Sequence, residues 1–176
     1  RVLFNSDFFK EAQFKKVKNP AELVAGTIKL VGTHTFPERG VEQLGAAAGA
    51  MGQRLFNPPT VEGWHTGREW IDGGTLNERV NFAVNQLNDV TKPGIQDIID
   101  RLESQGGPLS PEDFVGHCLD LAGPIVVGDE THRGLLKYAA LGGQLGFETE
   151  AEREVSADRV KQMLQLIVAS IDFQFA

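Results

Sequence analysis

The chain has 176 residues, of which 41% are hydrophobic and 23% are charged, a composition typical of a globular protein with one well-buried core. Its formal net charge of -7 argues against a nucleic-acid backbone or an anionic membrane as the main partner, because both are bound through clustered Lys and Arg. The single cysteine excludes an internal disulfide, and no apolar run approaches the roughly 18 residues of a transmembrane helix.

Helix-start signals divide most of the chain into amphipathic helices. At residues 19–22 a capping Asn precedes a first-turn Pro and a Glu at the third helical position, which predicts a helix to about Val31. Hydrophobic residues recur every three or four positions in the later segments, whereas alternating strand patterns are nearly absent. The acidic stretch 148–154 is predicted to be a solvated loop or a first helical turn. The predicted helices begin near Asn19, Val41, Thr75, Pro93, Ser110, Asp129 and Ser156.

The helix predicted over 41–53 has an unusual face of small residues. Such a face predicts close packing against a neighbouring backbone and offers no side chain capable of chemistry. Its small residues are Gly45, Ala46, Ala48 and Gly49.

The stretch 51–83, which joins two of these helices, combines a proline pair, several glycines and both tryptophans of the chain. Pro58-Pro59 restrict the backbone, Gly73-Gly74 free it, and a tryptophan is costly to leave in water. Neither a solvated linker nor a regular helix has this composition. We therefore predict a long ordered loop that packs onto a helical body, and we expect Arg79 to anchor this loop through carbonyl or carboxylate contacts.

Four sequence motifs resemble those of one protein family. They are K-x-P-x-E-L-V-x-G-T at 18–27, M-G-Q-x-x-F-x-P-P-x-x-x-G-W at 51–64, W-I-x-x-x-T-L-x-x-R-x-N-F-A at 70–83 and L-x-L-I-x-A-S-x-x-F-Q at 164–174. With them the chain resembles the C-terminal third of the bacterial family called domain of unknown function 1800. The resemblance is dense over 1–90 and 160–174 and loose between, and His65 and Ile171 stand where the family more often has proline.

The resemblance implies that the chain is the C-terminal part of a longer polypeptide whose larger N-terminal region lies outside it. Members of this family are typically predicted to be exported, which implies a periplasmic, envelope or extracellular location. No catalytic residues are established for the family, so the resemblance transfers no active site, no metal and no cofactor to this chain.

The loop could form a carbohydrate-binding platform, because indole faces favour stacking and neighbouring polar groups supply directional hydrogen bonds. The two faces would be those of Trp64 and Trp70. The polar groups of this predicted binding site are Asn57, His65, Arg68, Glu69 and Asp72. The alternative is that both tryptophans seal the loop against the helices while the glycines form turns.

The histidine and carboxylates of the loop raise the question of a metal or catalytic site. His65, Glu69 and Asp72 are chemically able to bind zinc or a harder cation. The short spacing lacks a second histidine, although His34 could join from another loop. A serine hydrolase is not indicated, since no G-x-S-x-G motif is present. We therefore predict no metal site, no cofactor and no catalytic residue.

Together these observations predict an all-α protein, a compact multi-helix array of one domain over 1–176 with one long Pro/Gly/Trp-rich loop. The first hypothesis is a non-enzymatic structural or binding module of an exported protein, which acts on polysaccharide or on a partner protein. The second is a contribution to a hydrolase-type or metal site completed by a missing N-terminal region.

The expected partners follow from these hypotheses. They are the upstream part of its own polypeptide, another exported protein or a glycan, with no nucleic acid and no transmembrane segment. The first helix is expected to expose an apolar stripe, which predicts that this helix packs against a surface outside the chain.

Overall fold

The computed structural model describes all residues, 1–176, and contains eight α-helices and no β-strand. The helices are α1 (Asp7–Glu11), α2 (Pro20–Val31), α3 (Val41–Ala50), α4 (Gly73–Gln86), α5 (Pro93–Glu103), α6 (Pro111–Ala122), α7 (Asp129–Leu141) and α8 (Glu150–Ala169). Single helical turns occupy Leu3–Asn5, Gly67–Trp70 and Asp172–Gln174, and three isolated antiparallel bridges are the only extended pairings. The prediction of an all-α array is confirmed.

The boundaries of α2 follow from side-chain capping and from a close crossing. Asn19 Oδ1 accepts the Glu22 N–H and the Glu22 carboxylate accepts the Asn19 N–H, both at 2.9 Å, as the sequence pattern predicts. The helix ends at Val31 and is capped by Gly32, whose φ of 69° favours glycine. There it passes so close to α5 that a Cβ on Gly94 would stand 2.1 Å from the Leu30 carbonyl oxygen.

Two of the predicted helix starts are wrong, one by three residues and one by seven. Asp72, and not Thr75, caps α4, because its carboxylate accepts the N–H groups of the first turn. Thr149 caps α8, so the acidic stretch forms the first turn of that helix. Ser156 lies inside α8 instead, where it is 3% exposed and its hydroxyl donates to the Gly146 carbonyl at 2.6 Å.

Helix α8 lies at the centre of the core. Its buried residues Val160, Met163, Leu164, Ile167 and Val168 form one stripe. They belong to a cluster of 25 buried residues that also draws on α2 to α7. Each fully buried aliphatic side chain stabilises the fold by about 1.5–3 kcal/mol, so this stripe makes a substantial contribution to the stability of the core. None of the helices combines the length and the apolar character needed to cross a membrane.

The two ends of the chain pair with each other. Lys16 and Ala176 exchange backbone N–H···O bonds of 3.3 and 2.8 Å, and the Lys18 N–H donates to the Gln174 carbonyl at 2.8 Å. These bonds bring the segment before α2 beside the segment after α8. Residues 16–18 and 174–176 therefore lie side by side.

Candidate functional site

The stretch 51–83, predicted as one long loop, forms a loop only over 51–72, because 73–83 belong to α4. The loop is held in place by its own hydrogen bonds. The indole Nε1 of Trp64 donates to the Arg54 carbonyl at 3.1 Å, which joins positions ten residues apart. Thr60 pairs with Gly63 across a tight turn. The loop is therefore ordered, although it has almost no regular secondary structure.

The two tryptophans differ in burial, so the loop offers one indole face and not two. Trp70 is 5% exposed, and its carbonyl accepts the Thr75 hydroxyl at 3.1 Å. The His65 ring stands edge-on to it, with 6.2 Å between ring centroids. Trp64 is half-buried. The sealing role therefore describes Trp70, and any stacking on a sugar ring is left to Trp64.

The other predicted site residues lie at the surface of the loop. His65 Nδ1 is 3.6 Å from Glu69 Oε2 in a solvent-exposed pair, a geometry that contributes little in water. Asp72 Oδ1 accepts the N–H groups of Gly74 and Thr75 at 2.7 and 2.8 Å. No three His, Cys, Asp or Glu side chains lie close enough together to hold a metal ion. The exposed residues of the predicted site are Asn57, His65, Arg68, Glu69 and Asp72.

The electrostatics of Asp72 suit a helix cap. Hydrogen bonds from the backbone N–H groups of Thr75 and Gly74 hold the pKa of the Asp72 carboxyl below its ordinary value of 3.8. A carboxylic acid that donates a proton near neutral pH needs the opposite shift. Asp72 is thus placed to stabilise the positive end of α4 and not to act as a general acid.

A buried polar cluster that the sequence patterns did not reveal lies beneath the paired chain ends. Arg79 of α4 is fully buried, and its Nε donates to Gln174 Oε1 at 2.8 Å. Its Nη2 donates to the Lys18 carbonyl at 2.7 Å, and Lys18 Nζ donates to the Phe173 carbonyl at 2.8 Å. We name Lys18, Arg79 and Gln174 the terminal clasp. Arg79 therefore anchors the two chain ends, and the expectation that it anchors the loop is wrong.

The terminal clasp holds two cationic side chains close together without a carboxylate bonded to Arg79. Burial lowers the pKa of the Arg79 guanidinium. Burial also lowers the pKa of Lys18, and the nearby positive charge of Arg79 lowers it further, while Glu22 acts in the opposite direction. Arg79 Nη1 and Gln174 Nε2 are buried without a hydrogen-bond partner. The near-complete burial of Arg79 and Gln174 favours a structural role for these two residues, whereas Lys18 is half-buried and lines a cleft of the surface.

Two concave sites lie away from the predicted loop residues. A cleft of about 580 Å³ between α2 and α5 extends to Phe173 and the end of the chain. A groove of about 650 Å³ runs between α2 and α3 and reaches Leu55 at the start of the loop. Gly45 of α3 lines this groove, and a Cβ there would meet open space. The small-residue face of α3 therefore borders an empty groove at Gly45 and does not pack against a backbone there.

An apolar surface lies at the start of the chain. We name it the N-terminal aromatic segment. The rings of Phe4 and Phe9 contact edge to face, with 5.0 Å between their centroids. The members of the segment, with their exposed fractions, are Val2 (89%), Leu3 (60%), Phe4 (64%), Phe8 (76%) and Phe9 (39%).

Comparison with known proteins identifies the family. The sequence model of the family described as "Protein of unknown function (DUF1800)" matches residues 1–175. The chain belongs to the DUF1800 family. No curated protein matches the chain, and no solved structure matches it. The family match covers the terminal clasp, the loop and the N-terminal aromatic segment, and the family description assigns no activity to any of them.

Proposed function

We propose that this DUF1800 chain is a non-enzymatic binding module that docks a partner protein through its N-terminal aromatic segment. The observation that carries the proposal is the exposure of five large hydrophobic side chains within residues 2–9. Phenylalanine and leucine at such exposure are unfavourable in water, and a contiguous apolar patch typically marks an interaction surface.

The chemistry of the segment fits a protein interface. Phe4 and Phe9 already contact each other, so part of the apolar surface is preformed and less conformational entropy is lost on binding. Asp7 and Lys10, paired at 3.8 Å and largely exposed, supply a polar rim beside the rings. An aromatic centre with a polar rim is the usual arrangement of a protein–protein interface. The partner is expected to present an apolar surface that accepts Phe8.

Site-specific photo-crosslinking tests the proposal. We would place p-benzoylphenylalanine at position 8 of the full polypeptide, in the organism that makes it, and identify the cross-linked peptides by mass spectrometry. The matched control places the same group at Leu141, which is 82% exposed at the end of α7. We expect one dominant product from position 8, lost when Phe4→Asp is added, and none from position 141. Equal, diffuse labelling from both positions would overturn the proposal.

The cross-linked peptide also distinguishes the possible occupants. A peptide of a different protein supports the proposed partner. Peptides from another part of the same polypeptide would assign the surface to an intramolecular contact, and peptides from a second copy would assign it to self-association. Either result would replace docking of a partner protein as the function.

The other sequence-based hypotheses stay predictions. Polysaccharide binding now depends on Trp64 and the exposed polar residues around it. A hydrolase-type or metal site completed by a region outside the chain has less support, since Asp72 caps a helix and its pKa is lowered. Export from the cell, a bacterial origin and a place in the C-terminal third of a longer family member depend on the family resemblance.

A further inference from the structure

We propose that the cleft between α2 and α5 binds an apolar small molecule with one anionic group, such as a carboxylate, and that Lys18 holds this group. The cleft measures about 580 Å³, within the range of about 300–1,000 Å³ typical of small-molecule sites. Residues 2–9 do not line it, so this proposal and docking through the N-terminal aromatic segment can fail separately.

The walls of the cleft are largely apolar. Leu23 of α2 and Ile98 of α5 are buried residues of the lining. Leu30, Leu121 and Ile125 line the cleft as well and are only half-buried, so part of their apolar surface stays in contact with water. Removal of such surface from water is favourable, and these walls therefore suit a ligand with an apolar body.

The ammonium group of Lys18 lies at one wall of the cleft. Lys18 is half-buried, its Nζ donates to the Phe173 carbonyl at 2.8 Å, and the same nitrogen is 4.3 Å from the centre of the Phe173 ring. Because both residues line the cleft, these contacts hold the ammonium group beside the apolar lining. An ammonium group has three N–H donors, so the single bond to Phe173 leaves two of them for a ligand oxygen.

The positive charge at this wall has no bonded carboxylate. Lys18 Nζ bonds a carbonyl, and Arg79 beneath it bonds the side-chain oxygen of Gln174 and another carbonyl. Burial lowers the pKa of Lys18, the charge of Arg79 lowers it further, and Glu22 raises it by less. Charges that are removed from water are normally balanced by a partner of opposite sign. Two neighbouring cations without such a partner therefore favour an anion at the Lys18 wall.

The two acidic side chains that line the cleft already have cationic partners. Glu22 Oε1 accepts a hydrogen bond from Lys16 Nζ at 2.5 Å. Asp97 Oδ2 lies 2.9 Å from Arg101 Nε. Lys29 adds a further positive charge to the lining, where it is exposed. The unbalanced charge of the lining is therefore positive, which favours an anionic group over an ammonium group.

Titration with octanoate, octanol, octylamine and acetate tests the site. Chemical shifts of backbone amides would be followed by two-dimensional NMR on the whole chain. We expect saturable octanoate binding, with the largest shifts at Lys18, at Gly26 and over 123–125, and weaker binding of the other three probes. An absence of saturable octanoate shifts would overturn the proposal. Equal or tighter binding of octanol or octylamine would overturn the anionic group, and equal binding of acetate would overturn the apolar body.

Removal of the Lys18 charge tests the contact with the anionic group. Lys18→Met keeps an apolar stem of similar length and is expected to weaken octanoate binding by about tenfold or more. Lys18→Arg keeps a positive charge and should recover part of the affinity. The matched control is Lys137→Met, which removes the same charge from an exposed position of α7 outside the cleft. Equal octanoate affinity in Lys18→Met and Lys137→Met would overturn the role of Lys18.

The pKa of Lys18 distinguishes direct contact from a structural effect of the substitution. A carboxylate beside Nζ stabilises the ammonium form, so saturation with octanoate should raise the pKa of Lys18 in the wild type. Arg79 and Glu22, the charged groups that already act on this pKa, are present with and without ligand. The titration would be followed through the carbon-13 shift of the Lys18 ε-methylene group, and octanol should not raise the pKa. An unchanged pKa at saturating octanoate would place the anionic group elsewhere and overturn its assignment to Lys18.

Two exposed helical glycines provide a matched pair of variants that leave the terminal clasp intact. Gly26 of α2 lines the cleft, and its Cβ position has no atom within 4 Å. Gly26→Leu should fill part of the cleft and weaken octanoate binding by about tenfold or more. Gly116→Leu in α6 is the control, because Gly116 also has open space at its Cβ position but does not line the cleft. Equal octanoate affinity in Gly26→Leu and wild type would overturn the cleft as the site, even if Lys18→Met fails to fold.

Discussion

Replacement of Arg79 by alanine tests whether the terminal clasp holds the chain ends together. The substitution removes the donors to Gln174 Oε1 and to the Lys18 carbonyl, at 2.8 and 2.7 Å, and leaves both acceptors without a donor. A hydrogen bond from a charged donor contributes about 1.5–3 kcal/mol, so the two together contribute about 3–6 kcal/mol. The cavity left by a fully buried side chain adds to the loss.

One contribution reduces the loss of stability expected for Arg79→Ala. The buried guanidinium has no bonded carboxylate, and a buried charge costs several kcal/mol, so its removal recovers part of the loss. It also relieves the repulsion that lowers the pKa of Lys18. We therefore expect Arg79→Ala to lower the free energy of unfolding by about 3–5 kcal/mol. Arg79→Met should lower the free energy of unfolding by less, because the methionine side chain fills most of the cavity.

Urea unfolding followed by circular dichroism measures these changes. The matched control is Arg101→Ala, since Arg101 is 60% exposed and pairs with Asp97 at 2.9 Å on the surface of α5. We expect that control to change stability by less than about 1 kcal/mol. A double-mutant cycle of Arg79→Ala with Gln174→Ala should show a coupling of about 1–3 kcal/mol.

The clasp also predicts a local effect. Hydrogen exchange at the Ala176 amide, which donates to Lys16, should speed up in Arg79→Ala under conditions where α8 stays protected. The assignment of Arg79 as the anchor of both chain ends is refuted if Arg79→Ala lowers the free energy of unfolding no more than Arg101→Ala does. It is also refuted if the effects of Arg79→Ala and Gln174→Ala on that free energy simply add, without coupling.

Three further predictions follow from burial and capping. In Trp64→Phe the remaining fluorescence of Trp70 should be blue-shifted and resist quenching by acrylamide, since Trp70 is 5% exposed. Strong quenching would contradict its sealing role. In the wild type, protection of Trp64 from acrylamide by a glycan would support sugar binding. Burial raises the pKa of the Cys118 thiol, so Ellman's reagent should react with it only after unfolding, and rapid labelling of the folded protein would contradict the burial. The Asp72 carboxyl has a pKa below its unfolded value of 3.8, so its stabilisation of α4 is complete above that value and is lost as the pH falls through the folded-state pKa. Asp72→Ala should therefore lower Tm near neutral pH more than in strong acid, and an equal change at both would exclude a charge-dependent cap.

Helix content could be predicted from local sequence, because caps and hydrophobic spacing act within a few residues. The exact cap was less predictable where one segment offers two candidates. Asp72 and Thr75 both fit a capping pattern, and the structure uses Asp72 while the Thr75 hydroxyl bonds the Trp70 carbonyl. Ser156 was predicted to start α8, but the Gly146 carbonyl from outside the helix accepts its hydroxyl. Tertiary contacts decide such choices, and the local pattern does not contain them.

The candidate sites were less predictable than the helices. The loop was foreseen from its composition, but the difference in burial between Trp64 and Trp70 depends on which ring faces the helices. The small residues of α3 predict close packing, yet a groove remains at Gly45, whose Cβ position has no atom within 4 Å. Gaps between helices depend on how the whole array is arranged, so periodicity within one helix cannot reveal them.

The motifs that carry the family resemblance meet around the start of α2. Gln53, from the motif at 51–64, is 8% exposed and accepts the Ala21 N–H in the first turn of that helix at 2.8 Å. Arg79, from the motif at 70–83, joins Lys18 of the first motif to Gln174 of the last. Each contact satisfies a backbone or side-chain group that the core would otherwise leave unpaired. The residues that make the DUF1800 family recognisable thus hold distant segments together, and the binding surfaces have to be sought where side chains are exposed or unpaired.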